Sequence, residues 1–162
     1  MKEPSLFPKV PPIDLPCGLY RTTRKLADRL GAPLLVYFHN HGDPGPGIYP
    51  AVAWKHNKAS FATQGLVVDA LFAHSMVLLP SEGFYRIKEA FDCCEKHCMT
   101  FAADTLVQLG YDGAGNPIVF LPRFTSAGLE LPDHGTRIVD EHLAKLAPLK
   151  VMMDHEHALE RK

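Results

Sequence analysis

Nowhere does this chain run apolar for the roughly 20 residues that a membrane-crossing helix requires, so a helical span is excluded. It also lacks an excess of either charge: 17 Lys plus Arg stand against 18 Asp plus Glu, a net charge of -1. That balance excludes a broad electrostatic grip on nucleic acid or an anionic membrane surface. Cysteine is scarce and badly spaced for a disulfide framework. There are four, and Cys93, Cys94 and Cys98 fall within six residues, two of them adjacent. Residues 1–16 hold five prolines and no long apolar stretch, so no secretory signal is expected. The expectation is a soluble cytoplasmic protein with reduced thiols.

Enough apolar sequence is present for a core. Of 162 residues 46% are hydrophobic, which suits one domain that buries its core without disulfides. Fourteen prolines and nine histidines stand out. Residues 1–16 read as a proline-rich arm, 17–152 as the globular domain and 153–162 as a charged tail. No internal repeat or low-complexity tract interrupts them.

Periodicity predicts an amphipathic helix over Leu19–Leu30, stopped by Gly31, with strand pairing of Leu19–Thr23 as the competing reading. The run Leu34–Phe38 predicts a buried strand. Ile48–Trp54 and Ala59–Phe61 predict two strands about a turn at His56–Asn57. Leu66–Val68 and Met76–Leu79 add two more. Ser81 then suits a helix cap. Phe84, Ile87, Phe91, Cys94, Cys98 and Phe101 follow 3-4-3-4-3 spacing, a helical stripe continuing through Leu109 to Gly110. Asp112–Pro117 predicts a turn, Ile118–Leu121 a strand, Asp140–Leu146 a short helix and Leu149–Met152 an edge strand.

The string His97-Cys98-Met99-Thr100-Phe101 places a cysteine where the second part of that stripe would start. In a helix's first turn, free N–H groups and the macrodipole favour thiolate over thiol. The competing reading of Cys98 is a small buried hydrophobe. Cys94 reads as core, and Cys93 points off the stripe, toward solvent. The string, with Ala102-Ala103 and a Leu-rich run ending in Gly110, resembles the nucleophile helix of papain-like cysteine enzymes. The nearest likeness is to the circularly permuted NlpC-type and lecithin:retinol acyltransferase-like branch. That resemblance implies Cys98 as nucleophile and an earlier histidine as base. His97 stands where the family carries Asn. His39 and His41 end the strand Leu34–Phe38, while His56 precedes a strand.

The loop His39–Pro50 is rich in Gly and Pro, and rigid loops after buried strands often carry function. His39-Asn40-His41 lacks the surroundings and basic surface of a nuclease. His39, His41 and Asp43 spell His-x-His-x-Asp, which resembles part of the metallo-β-lactamase signature; that resemblance implies a further His ligand next, where Pro44 stands. Cys94, His97 and Cys98 lack the second half of a structural zinc site. Neither string completes a ligand set, so no metal and no cofactor is expected.

The fold expectation is α+β, a mostly antiparallel sheet packed against a helix that starts near Cys98. The leading function is a papain-like cysteine hydrolase or acyl-transfer enzyme acting on an amide, ester or thioester of a peptide, acyl or protein substrate. Cys98 would attack, with His41 or His39 as base. Asp43, Tyr49, Trp54 and His97 would contact substrate. The alternative is a non-enzymatic accessory or toxin-neutralising domain that presents the Pro/Gly loop to a protein partner. A His-rich metal-dependent hydrolase is third.

Overall fold

The structure is a computed structural model that describes residues 13–26, 30–41 and 45–152. Strands dominate it. In chain order they are β1 (Gly18–Arg21), β2 (Leu35–His39), β3 (Gly47–Lys55), β4 (Lys58–Phe61) and β5 (Leu66–Val67). A short helix α1 (Ala70–Ser75) follows, then β6 (Val77–Leu78), β7 (Gly83–Ile87), β8 (Phe91–Asp92), β9 (Thr100–Phe101) and β10 (Leu106–Tyr111). The rest are β11 (Pro117–Phe120), β12 (Arg123–Thr125), β13 (Gly128–Glu130), β14 (Thr136–Arg137), a 3-10 turn (Asp140–Lys145) and β15 (Leu146–Pro148).

Two antiparallel sheets form. The first runs β4-β3-β2-β1-β6, with β5 also on β3; the second runs β14-β11-β10-β7-β15. Hairpins β8–β9 and β12–β13 stand apart. Period-2 alternation sorts the first sheet into two cores. Leu19 and Leu35 face the second sheet and join Tyr85, Ile87, Val107, Leu109 and Val119. Their neighbours Tyr20, Val36, Phe38 and Ile48 face the other way, onto Phe72, Ala73 and Met76 of α1 and its margin. β1 and β2 are thus covered on both faces. No helix among the described residues is long and apolar enough to cross a membrane.

Polar contacts fasten the sheets at the β3–β4 turn. His56 and Asn57 take positive φ (51° and 64°), the paired left-handed conformation that joins two-residue hairpins. Asn57 Nδ2 donates to Gln108 Oε1 and to the Pro132 carbonyl, both at 2.9 Å. Gln108 Nε2 donates back to the His56 carbonyl at 3.0 Å. Gly110 makes this approach possible, because a Cβ there would meet the Asn57 carbonyl oxygen at 2.8 Å.

The expected α+β arrangement is overturned: no helix starts near Cys98 and none from that stretch packs on a sheet. The helical stripe covers β7, β8, β9 and β10 instead. Tyr85 and Ile87 are buried on either side of exposed Arg86, and in β10 the apolar Val107, Leu109 and Tyr111 alternate with Gln108 and Gly110 along a strand buried from Val107 to Tyr111, so the side-chain period is 2. Aromatic and β-branched residues suit that pleat better than a helix. Ser81 caps nothing; its carbonyl accepts the Tyr85 hydroxyl at 2.6 Å. In the Leu19–Leu30 stretch the competing strand reading holds as β1, and residues 27–29 lie outside the described part. Asp140–Lys145 turns as a 3-10 helix, and the final strand is Leu146–Pro148 rather than Leu149–Met152. Residues 1–12 of the arm and the whole tail, residues 153–162, lie outside the described residues; of the arm's remainder, Ile13 is buried in the second core.

Candidate functional site

β1 and β2 pair so that Gly18 lies opposite Phe38. One step outward, Cys17 and His39 become neighbours at the end of the ladder. The Cys17 sulfur lies 3.8 Å from His39 Nδ1 and 3.8 Å from His41 Nδ1. The two imidazole centroids are 4.2 Å apart. Three donor atoms from Cys17, His39 and His41 thus converge within 4.8 Å of one another. Cys17 and His39 are half-buried and His41 is exposed, so the cluster opens to solvent on one side.

Hydrogen bonds frame it on both sides. Asn40 donates its backbone N–H to the Cys17 sulfur at 3.3 Å. Its side chain accepts from the Ile13 N–H at 3.0 Å and donates to the Ile13 carbonyl and, at 2.9 Å, to that of Leu15. Tyr20, buried in the core, donates its hydroxyl to the Pro16 carbonyl at 2.7 Å. Residues 13–16 are therefore clamped from both strands, which fixes the approach of Cys17. Burial, with charge on Cys17 second, pushes the Tyr20 phenol above its ordinary pKa.

The structure separates the other residues singled out in the sequence. Cys98 lies exposed between β8 and β9, and its sulfur clusters with Cys93 and Cys94, while His39 and His41 cluster with Cys17. His97 takes a positive φ of 53° and pairs through Nδ1 with Asp92. Asp43 lies outside the described residues. Tyr49 sits in β3 opposite Tyr37, two residues from Gly47, the partner of His39. Trp54 is seven residues from Gly47 along the same strand, about 23 Å at roughly 3.3 Å per residue. There its indole donates to the Tyr111 carbonyl at 2.9 Å and borders a cleft of about 330 Å³ with Asn57 and Phe120.

The loop joining β8 to β9 holds the second sulfur group. The Cys93 N–H donates to the Met99 carbonyl at 2.9 Å and the His97 N–H to the Cys94 carbonyl at 3.0 Å. Cys93 is buried and donates its thiol to the Cys94 sulfur at 3.6 Å. The Lys96 backbone N–H, then Cys93, hold the Cys94 thiol below its ordinary pKa; Cys94 in turn pushes Cys98 up. Thr100, then His97, hold the half-buried Asp92 carboxyl below its usual range. Beside the loop lies a cleft of about 470 Å³ bordered by Cys94, His97, Lys145 and His142. The His142 ring stacks on Phe91 at 4.5 Å, and its buried Nδ1 finds no partner among the described residues.

Cys17 is the residue that sequence reasoning missed. The signal was present: a strand reading of Leu19–Thr23, paired antiparallel with Leu34–Phe38, sets the residues flanking those strands side by side. No family model matches this chain, and no curated protein or solved structure matches it either.

Proposed function

We propose that this protein is a metal-dependent hydrolase of an ester, amide or thioester, with Cys17, His39 and His41 as the ligands of a zinc-class ion. The observation that carries the reading is the pair of 3.8 Å separations from one sulfur to two imidazole nitrogens. A thiol has one proton and can donate to one imidazole; two imidazoles aimed at one sulfur are more than a nucleophile–base dyad uses. A tetrahedral ion, bonded at about 2.3 Å to sulfur and about 2.0 Å to nitrogen, holds those donors about 3.5 Å apart. The two sulfur–nitrogen separations here lie within a few tenths of an ångström of that spacing, and the three donors within 4.8 Å of one another. Three protein ligands leave one position open, the pattern of catalytic rather than structural zinc. An ion so held supplies Lewis acidity toward a carbonyl and acidifies water.

The protein's own groups set the conditions. The Asn40 N–H donates to the Cys17 sulfur, and the Asn40 side chain ties down the residues that precede Cys17. Exposed His41 marks the side from which substrate enters. Residues alternating on an extended segment point the same way, so His39 and His41 present their rings together.

The same Asn40 N–H supports a second reading: a cysteine hydrolase or acyl-transfer enzyme in which Cys17 is the nucleophile and His39 or His41 the base. Cobalt(II) titration of the reduced protein decides between them. The metal reading expects one equivalent of tetrahedral cobalt with a sulfur-to-cobalt charge-transfer band. That band should vanish in Cys17→Ser and persist in Cys98→Ser. Ester or thioester hydrolysis should disappear in chelator and return with zinc. Hydrolysis that survives chelator but is lost in Cys17→Ala selects the thiol enzyme. A protein with neither the band nor hydrolysis sinks both.

A further inference from the structure

The geometry points to a second, independent site: Cys93, Cys94 and Cys98, held in the loop between β8 and β9, form a three-thiolate site for a soft, thiophilic ion of the copper(I) or arsenic(III) class. Their three sulfurs lie within 4.8 Å of one another. An ion at the centre of a sulfur triangle, with bonds of about 2.3 Å, needs sulfurs about 4.0 Å apart. Cys93 and Cys94 already stand at 3.6 Å. Only sulfur belongs to this donor set, and thiolates select soft ions over the oxygen-seeking ones. The absence of imidazole from the trio separates it from the Cys17 centre and suits three-coordination rather than a zinc tetrahedron.

The loop is built to hold the sulfurs without an ion. β8 and β9 pair through Phe91 with Phe101 and Asp92 with Thr100. Backbone bonds from Cys93 to Met99 and from His97 to Cys94 close it further. Phe91, Phe101 and Cys93 are anchored in the main core, so the ligand nearest the interior is fixed. Cys94 opens onto the neighbouring cleft, and Cys98 is exposed. An ion would enter from those two and finish against Cys93.

Arsenite tests the site because it reports three thiols at once. Arsenous acid and three thiols form three As–S bonds and release three waters; no oxidant or reductant is consumed. Full-length reduced protein, wild type and Cys17→Ser, is mixed with one equivalent of arsenite, and its intact mass is measured. Both should gain one arsenic and lose three hydrogens. Copper(I) should then compete the adduct away. Cys98→Ser removes an exposed sulfur and spares the core, so it keeps the test valid should Cys93→Ser fail to fold. In Cys98→Ser the three-bond adduct should be absent. Absence of the adduct from folded wild type, its persistence in Cys98→Ser, or its loss in Cys17→Ser alone overturns the assignment.

Discussion

Gly18 faces Phe38 across the β1–β2 ladder, and this one register brings Cys17 level with His39. A slip of one residue would exchange the faces of Leu19 and Tyr20, sending each to the wrong core. The two cores that grip these residues therefore also dictate the geometry of the Cys17 cluster. Packing and chemistry are specified by the same alternation.

Asn40 should matter to both stability and binding. Asn40→Ala leaves the Ile13 N–H and the Ile13 and Leu15 carbonyls without their side-chain partner. Unmaking such half-buried bonds costs about 1–3 kcal/mol. Cobalt affinity should also fall, because the side-chain clamp on residues 13–16 is lost while the Asn40 N–H to the Cys17 sulfur is kept. Melting curves and cobalt titrations read the two effects separately. A variant that melts and binds like wild type would show that the clamp does not position Cys17.

The thiols of the β8–β9 loop should differ in reactivity at neutral pH. Cys94 is depressed, first by the Lys96 N–H, and Cys98 is raised by Cys94. A thiolate alkylates and a thiol does not. Iodoacetamide near pH 7 should therefore modify Cys94 before Cys98, although Cys98 is the more exposed. As pH rises past the ordinary thiol range, Cys98 should catch up. Cys93, only 3% exposed, should stay unmodified while the protein is folded. Peptide mapping that finds Cys98 labelled first would reverse the assignment of the thiolate.

Acid should weaken the link between β1 and the 3-10 turn. Arg21 donates to Asp140 at 2.6 and 2.8 Å and also holds the Gly115 carbonyl. Chiefly through the Arg21 hydrogen bond, the Asp140 carboxyl stays below its usual range. Its contribution is therefore fully present above the unfolded carboxylate value, about 3.9, and is lost as pH falls through the lower folded value. Because Asp140 is half-exposed, Asp140→Asn should cost only about 1 kcal/mol at pH 7. The difference from wild type should shrink below about pH 4. Urea midpoints measured across pH test this; a gap that stays constant into acid would rule out the ion pair as its source.

Asn57 should tolerate change poorly for a residue in a turn. It combines positive φ with two side-chain bonds, one to the buried Gln108. Asn57→Ala strains the backbone and leaves Gln108 short of a partner, together about 2–3 kcal/mol. Asn57→Gly relieves the strain but still lacks the side-chain bonds, so its stability should fall between those of wild type and alanine. If glycine proves as costly as alanine, the side-chain bonds account for the whole effect.

Strands with clean local signals were legible. Leu34–Phe38, the pair about His56–Asn57, and Ile118–Leu121 all appear within a residue or two of their expected bounds. The stretch from Phe84 to Leu109 was not, for a physical reason. Apolar residues three and four apart also arise when short strands are strung together by turns, and here Asp104 and His97, both at positive φ, break the chain. His39 and His41 could be chosen from the sequence as chemically interesting. Their sulfur partner could not be chosen from local pattern, because Cys17 is brought to them by a ladder between segments about twenty residues apart.

Burial of β1 and β2 on both faces has a kinetic meaning. Tyr20, Val36 and Phe38 are buried in the second core, so their amides should exchange with solvent only when the whole fold opens. Cys17 and His39 continue the β1–β2 ladder by one step, so parting them should require it to open. An ion captured by Cys17, His39 and His41 would be released either by leaving through the open side at His41 or by denaturation of the entire sheet. Its residence time and the slowest deuterium uptake in the protein should therefore be governed by different events, and saturating ion should slow the second by the factor its affinity dictates.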